Sequence, residues 1–131
     1  MKLLWDTHTF LWFVAGSNQI NEKVRKYIEK AESENYISIA SLWEISIKTA
    51  LGKLSIQGEY KSVIDDVQSN GISILPINFA HTVCQNQLPL IHRDPFDRII
   101  VSQAIVENMN FISIDEIFDE YLKDANIKRI W

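Results

Sequence analysis

Four carboxylates in this sequence stand where carboxylates are expensive. Asp6 closes the apolar run MKLLW, Glu44 lies inside ISIASLWEISI, Asp97 falls within HRDPFDRIIVSQA, and Asp115 follows FISI. An acid at the edge of a core is tolerated only when something pairs with it. Several brought together make an oxygen-only site for a hard divalent cation such as Mg2+ or Mn2+. Two such ions about 4 Å apart can activate a water and stabilise the leaving oxygen of a phosphodiester. Lys48, Arg93 and Arg98 are the nearby cations that could offset phosphate charge.

Each acid also has an ordinary reading. Asp6 suits the N-cap of a helix beginning at Thr7, and Asp115 the cap of a helix over DEIFDEY. Glu44 precedes Lys48 by four residues, the favourable order for an ion pair on a helix surface. Asp94, just before Pro95, reads as an N-cap with proline at the first helical position. Asp97 is then the third helical residue, with its carboxylate free to point past the helix end.

Other residues say less. His8, His81 and His92 are not at metal spacing from one another. His92, beside Arg93, could touch a phosphate, and a structural or solvated role serves it equally. Trp5, Trp12, Trp43 and Trp131 read as core, and Cys84 as a small buried hydrophobe. There is no glycine-rich phosphate loop and no GxSxG elbow.

The elements that must position the acids alternate between strand and helix. Strands are expected at 2–5, 36–39, 72–76 and 111–114, with a closing edge strand at 127–131. Helices are expected at 7–14, 21–33, about 40–51 ending at Gly52, 60–69, 78–87, from Pro95 through Ile105, and 116–123. Val24, Tyr27, Ile28 and Ala31 form the apolar stripe of one of these helices, and Val63, Ile64 and Val67 that of another. Short apolar strands without polar alternation point to a parallel sheet covered on both faces. The expectation is a three-layer α/β/α sandwich with four to five parallel strands. Ligands of such sheets bind beyond the carboxyl ends of the strands. Asp6 and Asp115 both follow strands, and Glu44 and Asp97 lie early in helices, so all four can face one end.

Bulk composition is compatible with this. The chain has 131 residues, a 47% hydrophobic and 23% charged composition, and a net charge of −4. That length suits a single domain over 1–131. The acidic balance does not advertise nucleic-acid binding, nor does it oppose an acid-centred nuclease. One cysteine, no disulfide pair and no CxxC pattern point to a reducing cytoplasm. No apolar run approaches the ~20 residues that cross a bilayer. Asp6 and His8 interrupt the one segment that resembles a signal peptide.

Four segments together resemble the PIN domain family, in the subset related to VapC-type toxins of type II toxin–antitoxin pairs. They are LLWDTHTFLW at 3–12, SIASLWEISIKTALGKL at 38–54, HRDPFDRIIVSQA at 92–104 and FISIDEIFDEY at 111–121. They come in family order and span essentially the whole chain. The resemblance implies a parallel sheet flanked by helices, Mg2+ or Mn2+ bound by clustered acids, and hydrolytic cleavage of RNA to a 5′-phosphate and a 3′-hydroxyl. It assigns Asp6, Glu44, Asp97 and Asp115 as the catalytic and metal-binding acids. Thr7 and Ser113 match hydroxyl residues that support the acids, and Asp94 belongs to the DPFDR variant with its role open. Serine at 113 replaces the commoner threonine and keeps the hydroxyl. The resemblance also implies a small cognate antitoxin and a homodimer.

Two functions follow from different classes. The first is a metal-dependent endoribonuclease. The second is a protein-binding module with weak catalysis, whose groove would use Phe10, Trp12 and Phe13. A flap-endonuclease type of DNA nuclease is disfavoured, because the chain lacks the length for a threading arch.

Overall fold

The computed structural model describes residues 1–131. Five parallel strands form one sheet in the order β3-β2-β1-β4-β5. They are β1 (Lys2–Trp5), β2 (Glu34–Ser38), β3 (Ser73–Leu75), β4 (Asn110–Ile112) and β5 (Arg129–Ile130). The helices are α1 (Thr7–Val14), α2 (Glu22–Glu29), α3 (Ile39–Ala50), α4 (Val63–Ser69), α5 (Phe79–Gln87), α6 (Pro95–Glu107) and α7 (Phe118–Leu122).

The central strand explains the three layers. Leu3, Leu4 and Trp5 are all buried, and successive side chains of a strand point to opposite faces. Leu3 and Trp5 join one apolar cluster with Phe10, Val24, Ile37 and Ile45. Leu4 joins a second with Ile100, Val101, Phe111 and Phe118. A strand covered on both sides has no face to give to polar residues, which is why KLLW shows no alternation. Helices α1, α2 and α4 cover the first face, while α6 and α7 cover the second. The architecture is an α/β/α sandwich.

Helix ends follow local chemistry. Leu51 closes α3, and Gly52 beyond it takes φ +71°, a left-handed conformation that favours glycine. Asn108 closes α6 at φ 57°, and the Met109 amide donates back to the Ala104 carbonyl, so the chain turns directly into β4.

Several expectations need correction. Helix α2 stops at Glu29 rather than 33, because Lys30 is extended and Glu34 already pairs with Lys2 in the sheet. Ala31 therefore lies outside the helix and is exposed. The segment 60–69 is a 3-10 turn, Tyr60–Ser62, followed by α4. The Tyr60 hydroxyl donates to the Leu42 carbonyl at 2.9 Å and holds that turn against α3. Ile64 faces outward, since only Val63 and Val67 of α4 are buried. Trp43 is 60% exposed and meets Phe96 edge-on instead of entering the core. Cys84 is only half-buried.

Candidate active site

The sheet is parallel, so the carboxyl ends of β1 and β4 lie on the same edge. Asp6 follows β1 directly, and its amide donates to the Ile112 carbonyl at the end of β4. Asp6 is the N-cap of α1, and its Oδ1 accepts from the Thr9 amide at 2.8 Å and the Thr9 hydroxyl at 2.6 Å. Its Oδ2 accepts from the Ser113 hydroxyl at 2.6 Å. Asp6 is therefore a cap, yet the cap uses only one of its two oxygens. The carboxylate is 6% exposed. Burial pushes its pKa above the usual range, while the bonds from Ser113 and Thr9 and the nearby His8 pull it back down.

Ser113 ties two acids together. Its oxygen donates to Asp6 and accepts the Asp115 amide at 3.1 Å. Asp115 is exposed, and its Oδ1 accepts from the Ile117 amide at 3.1 Å. It caps the turn that leads into α7 and keeps its second oxygen free of protein donors.

Asp97 comes from the other side of the site. Asp94 caps α6 and accepts from the amides of Phe96 at 2.9 Å and Asp97 at 3.4 Å. That cap puts Asp97 in the first helical turn, where the helix dipole favours a negative charge. The His92 ring donates through Nε2 to Asp97 Oδ2 at 2.8 Å. Burial raises the Asp97 pKa to about 6, with Asp94 and Glu44 adding repulsion and His92 opposing them.

Asp6, Asp97 and Asp115 line one open pocket of about 320 Å3 at this end of the sheet. Glu44 is not part of its lining. It is 4% exposed, on the buried face of α3, and both oxygens are engaged. Oε1 accepts from the Thr7 hydroxyl at 2.7 Å and Oε2 from Lys48 Nζ at 2.7 Å. The Thr7 hydroxyl also lies 3.0 Å from that of Ser41. The Glu44–Lys48 pair expected from sequence exists, but its acid end is buried rather than on the surface. Glu44 raises the Lys48 pKa chiefly through this bond, with Asp94 and Asp97 adding to it. Lys48 is thus the cation that pairs with Glu44.

The donor set is hard oxygen, which suits Mg2+ or Mn2+. No three acidic, histidine or cysteine side chains stand close enough to hold one ion together. Magnesium usually keeps several waters and takes one or two carboxylates, so an open, three-acid pocket fits that mode of binding.

Arg98 does not serve the site as its sequence position promised. It is 5% exposed, and its guanidinium donates to the carbonyls of Gln85, Leu88 and Pro89. Its donors hold the segment before α6, and it does not line the acid pocket. The Tyr121 hydroxyl accepts the His92 amide at 2.6 Å, and this fixes the residue that holds Asp97. Arg93 is exposed. Of the suggested protein-binding aromatics, Phe10 is fully buried and Phe13 packs edge-on against Trp5 at 5.0 Å.

Sequence reasoning missed Thr9 and did not assign the roles of three other residues, His92, His8 and Trp12. Thr9 sits three residues after a capping aspartate, a spacing from which both amide and hydroxyl reach the cap oxygen. His92 lies five residues before its partner Asp97 across a loop, and nothing in the local pattern reveals that contact. His8 and Trp12, four apart on α1, also line the pocket; helical spacing puts them on one face.

A model of the PIN domain family matches residues 3–123. A search of curated protein sequences gave no match. Among solved structures, the fold resembles a chain of VapBC2 from Rickettsia felis bound to a DNA fragment from their promoter, with a TM-score of 0.73 and 17% identity over 99% of this chain and 98% of that one. It also resembles a chain of VapBC-1 from nontypeable Haemophilus influenzae, with a TM-score of 0.66 and 16% identity over 99% and 97% of the two chains. A toxin–antitoxin complex from Klebsiella pneumoniae contributes a third likeness, with a TM-score of 0.62 and 14% identity over 96% and 94%. With its sheet order, its acids at one sheet edge and a family match over nearly the whole length, this chain belongs to the PIN domain family.

Proposed function

We propose that the protein is a metal-dependent endoribonuclease that hydrolyses RNA phosphodiester bonds, acting as the toxin of a toxin–antitoxin pair. The observation that carries this reading is the pocket lined by Asp6, Asp97 and Asp115, which come from three separate elements at one end of a parallel sheet. One or two of Asp6, Asp97 and Asp115 would hold Mg2+ or Mn2+ directly and the others through its waters, with Glu44 adding negative charge behind them. When bound, the ion supplies the positive charge that acidifies water and offsets charge building on the phosphate.

The chain's own residues do the rest. Thr9 and Ser113 orient Asp6 and leave it no freedom to swing. His92 holds one oxygen of Asp97. Thr7 and Lys48 hold Glu44 behind the pocket. Three positioned acids and no enclosing cage leave room for the substrate phosphate to complete the coordination.

The toxin role and a small cognate antitoxin rest on the likeness to VapBC and toxin–antitoxin structures. A homodimer and a cytoplasmic location belong to the same reading. No helix is long and apolar enough to cross a membrane. The test is cleavage of RNA with added Mg2+ or Mn2+, comparing the natural chain with Asp97→Asn. The expected result is metal-dependent cleavage lost in the variant. Equal activity in both, or activity persisting in excess chelator, would overturn it.

A further inference from the structure

The acid pocket has a second, chemically different wall. His8 and Trp12 line it alongside the acids, with Ile114 adding an apolar surface. The two rings pack 5.7 Å apart at 39°, and Trp12 is braced from behind by Trp131, edge-on at 5.9 Å. His8 is exposed, Trp12 is half-buried and Ile114 is 43% exposed. Trp12 packs against the first apolar cluster on one side and borders the pocket on the other, so an aromatic wall faces the acids. A nucleotide needs both halves: oxygen ligands for the ion at its phosphate and a flat apolar face for its base.

We propose that the His8–Trp12 wall is a nucleobase-stacking subsite, which takes the base of a nucleotide next to the bond being cut. This rests on the nuclease reading above. It adds to that reading which part of the substrate is gripped and by what. Unpaired bases stack on aromatic rings with little regard to identity, so the subsite favours single-stranded RNA without dictating a sequence. A base inside an A-form duplex has its faces covered and cannot use it. Trp12 is a positioning and binding group, and its support on Trp131 keeps the wall in place without the substrate. The wall lies on α1, the helix that Asp6 caps. Stacking would therefore register the phosphate against the acids through a single rigid element.

The test uses a fluorescent single-stranded hexaribonucleotide and an abasic ribose-phosphate hexamer of equal charge, with Ca2+ present in place of Mg2+. Anisotropy gives the affinities of the natural chain, Trp12→Ala, Trp12→Phe and His8→Ala, and circular dichroism checks folding of each. Trp12→Ala is expected to weaken the base-bearing probe about tenfold and leave the abasic probe unchanged, with Trp12→Phe restoring most of the loss. RNA cleavage by Trp12→Ala should show a larger rise in KM than fall in kcat. Equal binding of the base-bearing probe by the natural chain and folded Trp12→Ala would overturn the subsite, as would an equal loss on both probes. The two readings fail separately. Cleavage that ignores Trp12→Ala sinks the subsite and spares the nuclease, whereas base-dependent binding without cleavage in Mg2+ or Mn2+ does the reverse.

Discussion

The two sides of the acid pocket are built in opposite ways. On the β1 side, Asp6 and Glu44 are almost wholly buried and every carboxylate oxygen has a donor on it. By contrast, Asp97 on α6 keeps 24% of its side chain exposed, and Asp115, on the turn after β4, is open to solvent. The first side is a rigid anchor whose geometry the fold has already fixed. The second is held more loosely and can adjust to an ion and a phosphate. The difference teaches where the cost of the site falls. Asp6 and Glu44 are buried against hydroxyls and an ammonium that pair with them, while burial and repulsion from Asp94 and Glu44 leave Asp97 under electrostatic tension that a cation would relieve.

Substitutions should separate these sides. The largest effect is expected for Asp6→Ala, which removes the α1 cap and strands Ser113 and Thr9 as donors. It should lose about 2 kcal/mol of stability by chemical denaturation and all detectable cleavage. Arg98→Met should cost somewhat less, about 1–2 kcal/mol, by freeing the carbonyls of the loop before α6. It should lower activity only through that loop, so a profile in which affinity for RNA alone collapses would contradict the structural assignment.

Asp97→Asn should behave differently from Asp6→Ala. The Asp97 pKa is raised from 3.8 to about 6, so the folded state holds the proton more tightly than the unfolded state does. Stability in the absence of metal then falls as pH rises from about 4 through 6, and the ionised acid is a net cost above that window. Asparagine removes the cost and still accepts from His92. The variant should therefore be about 1–2 kcal/mol more stable than the natural chain at pH 7.5, allowing for partial solvent screening, with the gain vanishing near pH 4. Cleavage should fall at least about a hundredfold. A stability loss at pH 7.5 would break the comparison.

Thr7→Val should come next, costing about 1 kcal/mol and roughly tenfold in activity, by releasing Glu44 Oε1 inside the protein. Asp115→Asn should be the mildest for the fold, within about 0.5 kcal/mol of the natural chain, since its carboxylate is exposed. Thermal denaturation of the pair distinguishes a buried support from an exposed carboxylate.

Much of this was legible in the sequence, for definable reasons. The β1 strand and α1 matched residue for residue because KLLW runs into a capping aspartate, and strong local signals coincide there. Asp94 as cap and Asp97 as third helical residue followed from one proline. The exposed Trp43 and outward Ile64 were not legible, because periodicity gives a stripe and not its neighbours. The inward turn of Arg98 was hidden too. Its partners are carbonyls of a loop, and backbone carbonyls carry no sequence signature. The same holds for Glu44: its bond to Lys48 is local and readable, but its burial depends on Thr7, whose hydroxyl arrives from 37 residues away.

The most direct test of the central claim is a calorimetric titration of the metal-free protein with Mn2+ at pH 7.5, run on the natural chain and on Asp97→Asn. If the acid pocket is the metal site, the natural chain binds Mn2+ with a saturable isotherm, and binding weakens as pH falls through about 6 while Asp97 takes up its proton. In the variant, binding drops to background. Identical isotherms for the two proteins would contradict the account.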